Sequence, residues 1–161
     1  MRQEGVLKLG HFPLSIAEAK RIRAFLEFDA LGATALDPCA GTGAALLAIT
    51  DAAEVKRYGV ELDAYRAGEA RNSFDEVIQG SAFYVHVSVD SFSLVYLNPP
   101  YDFEIGEGKN QRMERFFLEH VGRWVRPGGV LVMVIPVCSQ NRIRTNQTVT
   151  NAPVAGSPEL R

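Results

Sequence analysis

A chain of 161 residues that is 47% hydrophobic and 22% charged has the size and balance of one globular domain with a single core. Its formal net charge of -2 gives no global attraction to nucleic acid, so binding to such a polymer requires a local basic patch. No apolar run approaches the roughly 20 residues that span a bilayer. The longest, Val130 to Val137, contains Pro136, and two cysteines in unlike settings with no signal pattern predict a reduced, cytoplasmic protein.

Taken in chain order, Ser15 with Glu18 three positions later forms a capping box. The helical spacing of Ile16, Ala19, Ile22, Phe25 and Leu26 carries that helix to about Glu27. Thr34 to Leu36 is a short apolar strand ending in Asp37, and a glycine-containing turn then opens onto the helix-forming run Ala44 to Ile49. Tyr58 to Leu62 reads as a second strand, Ala64 to Phe74 as a helix and Glu76 to Gln79 as a third strand. Tyr84 to Val89 alternates like an extra strand or edge hairpin. Ser93 to Leu97 is a fourth strand, stopped at Asn98-Pro99-Pro100 because consecutive prolines cannot donate to a ladder. Met113, Phe116, Phe117, Val121, Trp124 and Val125 place a helix over 111–125, terminated by Pro127-Gly128-Gly129. Val130 to Ile135 is patterned as a central parallel strand buried on both faces.

Strands alternating with helices predict an α/β fold with a doubly wound, mainly parallel sheet, its core within residues 1–137. Residues 138–161 carry no aromatic and many Asn, Thr, Ser and Pro, and are expected to be a disordered or non-native polar tail.

In such a sheet a ligand lies outside the carboxyl ends of the strands, where Gly41 and Gly43 stand. Lacking Cβ, they let the backbone turn sharply and approach a ligand, with main-chain N–H groups facing it. Asp37 at the strand tip can accept from a cationic group, and Glu61, at the end of the second strand, from ribose hydroxyls. The same logic serves a dinucleotide, but the third glycine of G-x-G-x-x-G is replaced by Leu46, so S-adenosylmethionine (SAM), which has no pyrophosphate, suits the loop better. A purely structural turn is the remaining alternative.

Asn98-Pro99-Pro100-Tyr101 follows an apolar strand and so reaches the same edge. The Asn98 carboxamide oxygen and the Pro99 carbonyl can each accept one N–H of an exocyclic amine, which aims the nitrogen lone pair at a methyl donor. The prolines fix the backbone, and Tyr101 offers a flat face for an extruded base. Alone, the tetrapeptide reads equally well as a turn after a strand.

Together these motifs resemble the class I SAM-dependent methyltransferases that modify N6 of adenine, and in particular a subgroup of uncharacterised methyltransferase-like proteins of bacteria and mobile elements. The resemblance covers about residues 5 to 136. It implies that Asp37, Pro38, Ala40, Gly41 and Gly43 contact SAM, that Glu61 holds its ribose, and that Leu62 or Asp63 borders its adenine. It also implies that His11, Phe12 and Pro13 form the motif packed over the methionine part. Ser81, with Ala82 beside it, stands where such enzymes often have an acidic residue for the adenine amine. The implied partner is nucleic acid, DNA rather than RNA, without metal or membrane. The family's C-terminal antiparallel strand pair is not matched, which reads as a fragment, a frameshifted product, or a protein whose sheet is completed by a second copy or a partner subunit.

Enzymes that methylate the glutamine amide of peptide release factors share the tetrapeptide, although Asp37-Pro38 favours the adenine enzymes. A truncated, inactive SAM-binding subunit is the third reading. Lys56, Arg57, Arg66, Arg71, Lys109, Arg112 and Arg115 read as solvated charges, Lys109 being nearest the substrate entrance. Cys39 is given no chemistry, and no Cys/His cluster has zinc spacing.

Overall fold

The computed structural model describes residues 13–28, 32–100 and 113–135. Ser15, in extended conformation, accepts from the Glu18 amide at 3.3 Å and starts α1 (Ile16–Arg23). The Glu18 carboxylate pairs with Arg21 at 2.7 Å, so only half of the predicted capping box forms. The helix ends short of Glu27. The Arg23 guanidinium donates to the carbonyls of Leu26 and Asp51 at 2.8 and 2.9 Å and draws the chain outward. Phe25, predicted on the apolar face, is 87% exposed.

Five strands follow: β1 (Ala33–Asp37), β2 (Val55–Glu61), β3 (Glu76–Gln79), β4 (Phe92–Leu97) and β5 (Val125–Met133). They form one parallel sheet in the order β3-β2-β1-β4-β5, the doubly wound arrangement predicted. Between them lie α2 (Ala44–Ile49), α3 (Ala64–Ala70) and α4 (Met113–Val121). Because strand side chains alternate between faces, each strand serves two cores. Ala35, Leu94 and Tyr96 face a layer built with Ala19 of α1, Leu46 and Ile49 of α2, and Ala67 and Ala70 of α3. Leu36, Val60, Val95 and Leu97 face Phe117 and Val121 of α4 and the fully buried Trp124. Truncating Trp124 to alanine would cost roughly 3–5 kcal/mol on these grounds.

Three predictions are corrected here. Residues 84–89 form no strand. Ser81 Oγ accepts from the Phe83 amide at 3.3 Å and caps a short 3-10 turn over Ala82–Tyr84. The alternation reflects Val85 and Val87 packing against the second core without a ladder partner. The helix over 111–125 gives way to a 3-10 turn at Gly122–Trp124, and β5 begins at Val125. Pro127-Gly128-Gly129 is therefore a bulge within β5, not a helix stop. Phe92 pairs with Val125 and Leu94 with Val130, so the extra residues loop out opposite Ser93. Gly128 has φ +77°, and a Cβ on Gly129 would lie 2.9 Å from the Arg126 carbonyl oxygen. Finally, β5 pairs only with β4 among the described residues. Val130 and Ile135, at 44% and 63% exposure, are not buried on both faces as expected.

No described helix is long and apolar enough to cross a membrane. The polar tail over 138–161 lies outside the described residues.

Candidate cofactor and active site

Parallel pairing of β1 with β2 and β4 brings Asp37, Glu61 and Asn98 to one edge of the sheet. The turn after β1 is held by its own amides. Cys39 N–H donates to Asp37 Oδ1 at 2.9 Å, Ala40 N–H to the Val60 carbonyl at 2.9 Å, Gly41 N–H to Glu61 Oε2 at 2.8 Å and Gly43 N–H to the Ala40 carbonyl at 2.8 Å. This departs from the sequence expectation of amides presented to a ligand. Four of the five amides from Cys39 to Gly43 point inward, and carboxylates face the cleft instead.

Gly43 is required for packing rather than for ligand approach. It sits at φ +83°, and a Cβ there would come within 2.8 Å of the Phe74 ring, which also lies 2.9 Å from a Cβ placed on Gly59. Phe74 thus plugs the space beneath the turn. Gly43→Ala combines left-handed strain with overpacking, and is expected to lower stability by roughly 2–4 kcal/mol in urea unfolding. A change under about 0.5 kcal/mol would show that the ring yields freely.

Asp37 is 1% exposed, and its carboxyl has no basic partner among the contacts described. Burial pushes its pKa up from 3.8 to about 7; the Cys39 amide opposes this and the nearby Glu61 adds to it. The Cys39 thiol is also held well above its usual value, by desolvation first and then by the two carboxylates, so it is no nucleophile at neutral pH.

Glu61, 5% exposed, is held differently. Its Oε1 accepts from the Asp63 amide at 2.9 Å and from Arg66 Nη2 and Nε at 2.7 and 3.1 Å, while Oε2 accepts from Gly41. Arg66, predicted to be a solvated charge, is a part-buried partner of the buried acid. Two carboxylates thus share the edge, one compensated by an arginine and one not.

The surrounding cleft has two parts. One is lined by Pro38, Cys39, Glu61, Leu62, Arg66, Ser81, Ala82, Asn98, Pro100 and Phe117. The other is lined by Pro13, Asp37, Cys39, Ala40, Thr42, Tyr96 and Asn98. Half-buried Asn98 and Cys39 border both. The fold thus brings together Pro13, Asp37, Pro38, Ala40, Glu61, Leu62, Ser81, Ala82, Asn98 and Pro100 from the sequence-predicted set. The Pro99 side chain is fully buried, and Asp63 caps α3 by accepting from the Arg66 amide at 2.9 Å rather than lining the cleft. Ser81 lines the cleft, and its Oγ accepts from the Phe83 amide. His11, Phe12 and Tyr101 lie outside the described residues. Among the described residues no three His, Cys, Asp or Glu side chains cluster as a metal site would require.

Residues 2–144 match the model of the uncharacterised methyltransferase family DUF6094. The chain belongs to that family. No curated protein matches its sequence. The fold of this DUF6094 protein is that of SAM-dependent methyltransferases of class I. A structure from Listeria monocytogenes, described as one of these, superposes with a TM-score of 0.66 at 17% identity over 81% of this chain and 48% of its own. The methyltransferase subunit of a type I restriction-modification system from Streptococcus thermophilus gives 0.62 at 20% identity, over 76% and 34%. A Thiobacillus denitrificans SAM-dependent methyltransferase in complex with S-adenosyl-L-homocysteine gives 0.56 at 17% identity, over 83% and 55%. The chain spans between a third and just over half the length of these structures.

Proposed function

We propose that this DUF6094 chain binds SAM in the cleft at the carboxyl ends of β1, β2 and β4, and directs its methyl group to an exocyclic amine, N6 of adenine in nucleic acid. The observation that carries the reading is the position of Asn98, which borders both parts of the cleft and follows β4 directly. The residues fit the cofactor: an uncompensated buried carboxyl at Asp37 awaits a cation, and the inward-turned amides of residues 39–43 make a poor phosphate cradle. When bound, SAM supplies an electrophilic methyl on a sulfonium.

The chain's own residues then orient the acceptor. The Asn98 carboxamide oxygen and the Pro99 carbonyl each take one N–H of the amine and turn its lone pair toward the methyl group. Pro99 and Pro100 keep those acceptors aimed, and Tyr101 stacks on the extruded base, a contact worth roughly 1–3 kcal/mol. The likeness to a restriction-modification methyltransferase subunit agrees with a nucleic-acid substrate. With a net charge of -2, attraction to phosphates falls to local cations, of which Lys109 and Arg112 follow the tetrapeptide.

The test is incubation of purified protein with methyl-labelled SAM and, separately, DNA, RNA and a peptide release factor. Label is expected in adenine N6 of nucleic acid. Label in the release factor alone would replace the adenine reading by glutamine methylation.

A further inference from the structure

The geometry points to Arg66 as a positioning residue: we infer that its guanidinium locks the Glu61 carboxylate so that one defined oxygen, Oε2, is left to accept a ribose hydroxyl of a bound nucleoside. The inference rests on the proposed reading of Glu61 as the ribose acceptor.

Its basis is the unequal loading of the two oxygens. Oε1 takes three N–H donors: the Asp63 amide and both Nε and Nη2 of Arg66. Oε2 takes one, the Gly41 amide at 2.8 Å. A carboxylate oxygen accepts about two hydrogen bonds in good geometry, so Oε1 is saturated and Oε2 keeps capacity. Arg66 and Glu61 line the same part of the cleft, with Leu62, Ser81 and Ala82 beside them.

The arginine is itself held at both ends. Its amide donates to Asp63 Oδ1 at 2.9 Å at the start of α3, while its side chain reaches back to the strand end. Glu61 to Arg66 is therefore one interlocked corner, in which the arginine fixes the rotamer of a nearly buried acid. Removing the guanidinium frees the carboxylate to rotate and leaves its charge less compensated. A ligand with ribose hydroxyls loses a preformed acceptor, whereas a ligand without them loses little.

Calorimetric titration with S-adenosylhomocysteine and with its 2′,3′-dideoxy analogue separates this role from general support of the fold. The wild type is expected to prefer the natural ligand by ten-fold or more, and Glu61→Gln to lose most of that preference. Arg66→Met is expected to reduce it to under three-fold while binding the dideoxy analogue within two-fold of wild type, and to add nothing further in the Glu61→Gln background. If the methionine variant does not fold, Arg66→Gln, which keeps a donor without the charged fork, is expected to show the same selective loss. Should an Arg66 variant keep the full preference while Glu61→Gln loses it, the positioning role is wrong and the ribose reading stands. Equal weakening of both ligands would also overturn it, since that is the mark of a structural residue. If the wild type does not distinguish the two ligands, the ribose reading fails and this inference with it.

Discussion

Asn98→Ala is expected to lower methyl transfer by about 10²–10³-fold, the range seen when one preorganised transition-state hydrogen bond is removed. SAM affinity should remain within a few-fold of wild type. In the proposed mechanism the carboxamide accepts from the acceptor amine, whose N–H groups become more acidic as the nitrogen gains the methyl group, so the contact strengthens along the reaction. Asn98 follows β4 directly, is half-buried and borders both parts of the cleft, outside the fold's core. Single-turnover rates with the labelled substrate, set beside calorimetric binding, separate the two effects. Turnover by the variant at the wild-type rate would exclude the proposed role.

Asp37→Asn should do the reverse to stability. The folded carboxyl has a pKa near 7 against 3.8 for the free group. Its contribution is fully present below pH 3.8 and is lost as the pH rises through about 7, because the unfolded chain ionises while the folded one resists. That displacement corresponds to roughly 4 kcal/mol at most. Asparagine is neutral throughout and can still accept the Cys39 amide. Urea unfolding is therefore expected to show the variant more stable than wild type at pH 8 and similar to it near pH 3.5. SAM binding by the wild type should tighten between pH 6 and 8 as Asp37 ionises, and the variant should lack that dependence. A variant less stable than wild type at pH 8 would show that the ionised carboxylate has a partner that outweighs its burial.

Much of the architecture was legible because its signals are local. Capping by Ser15, the turn after Asp37 and the proline stop after Leu97 each act within a few residues, and all fall where the sequence placed them. What could not be read depends on neighbours in space. The apolar run from Val130 looks like an interior strand, but its burial is decided by what lies beyond it, and β5 has one partner among the described residues. Pro127-Gly128-Gly129 carries the residues of a helix stop and of a bulge alike, and the pairing of Leu94 with Val130 decides between them.

The site shows the same division. The placement of Asp37, Glu61 and Asn98 at one sheet edge is legible because strand ends are predictable, whereas nothing in a helix pattern reveals that the Arg66 side chain folds back onto the preceding strand. Phe74 reads in the sequence only as the end of a helix, because its role exists only through the two glycines it touches. A signal was available in hindsight: an arginine five residues after a strand-end glutamate spans one strand-to-helix corner.

The inward-facing amides of the turn bear on competition inside a cell. Adenosine triphosphate and the nicotinamide dinucleotides carry the same adenosine and are abundant wherever SAM is found. A loop whose amides already serve Asp37, Val60, Glu61 and Ala40 offers few donors to a phosphate chain. In the proposed reading, discrimination against these molecules resides in the polarity of a few backbone groups. The amides of Ala40 and Gly43 are bound to main-chain carbonyls, so no side-chain replacement frees them directly.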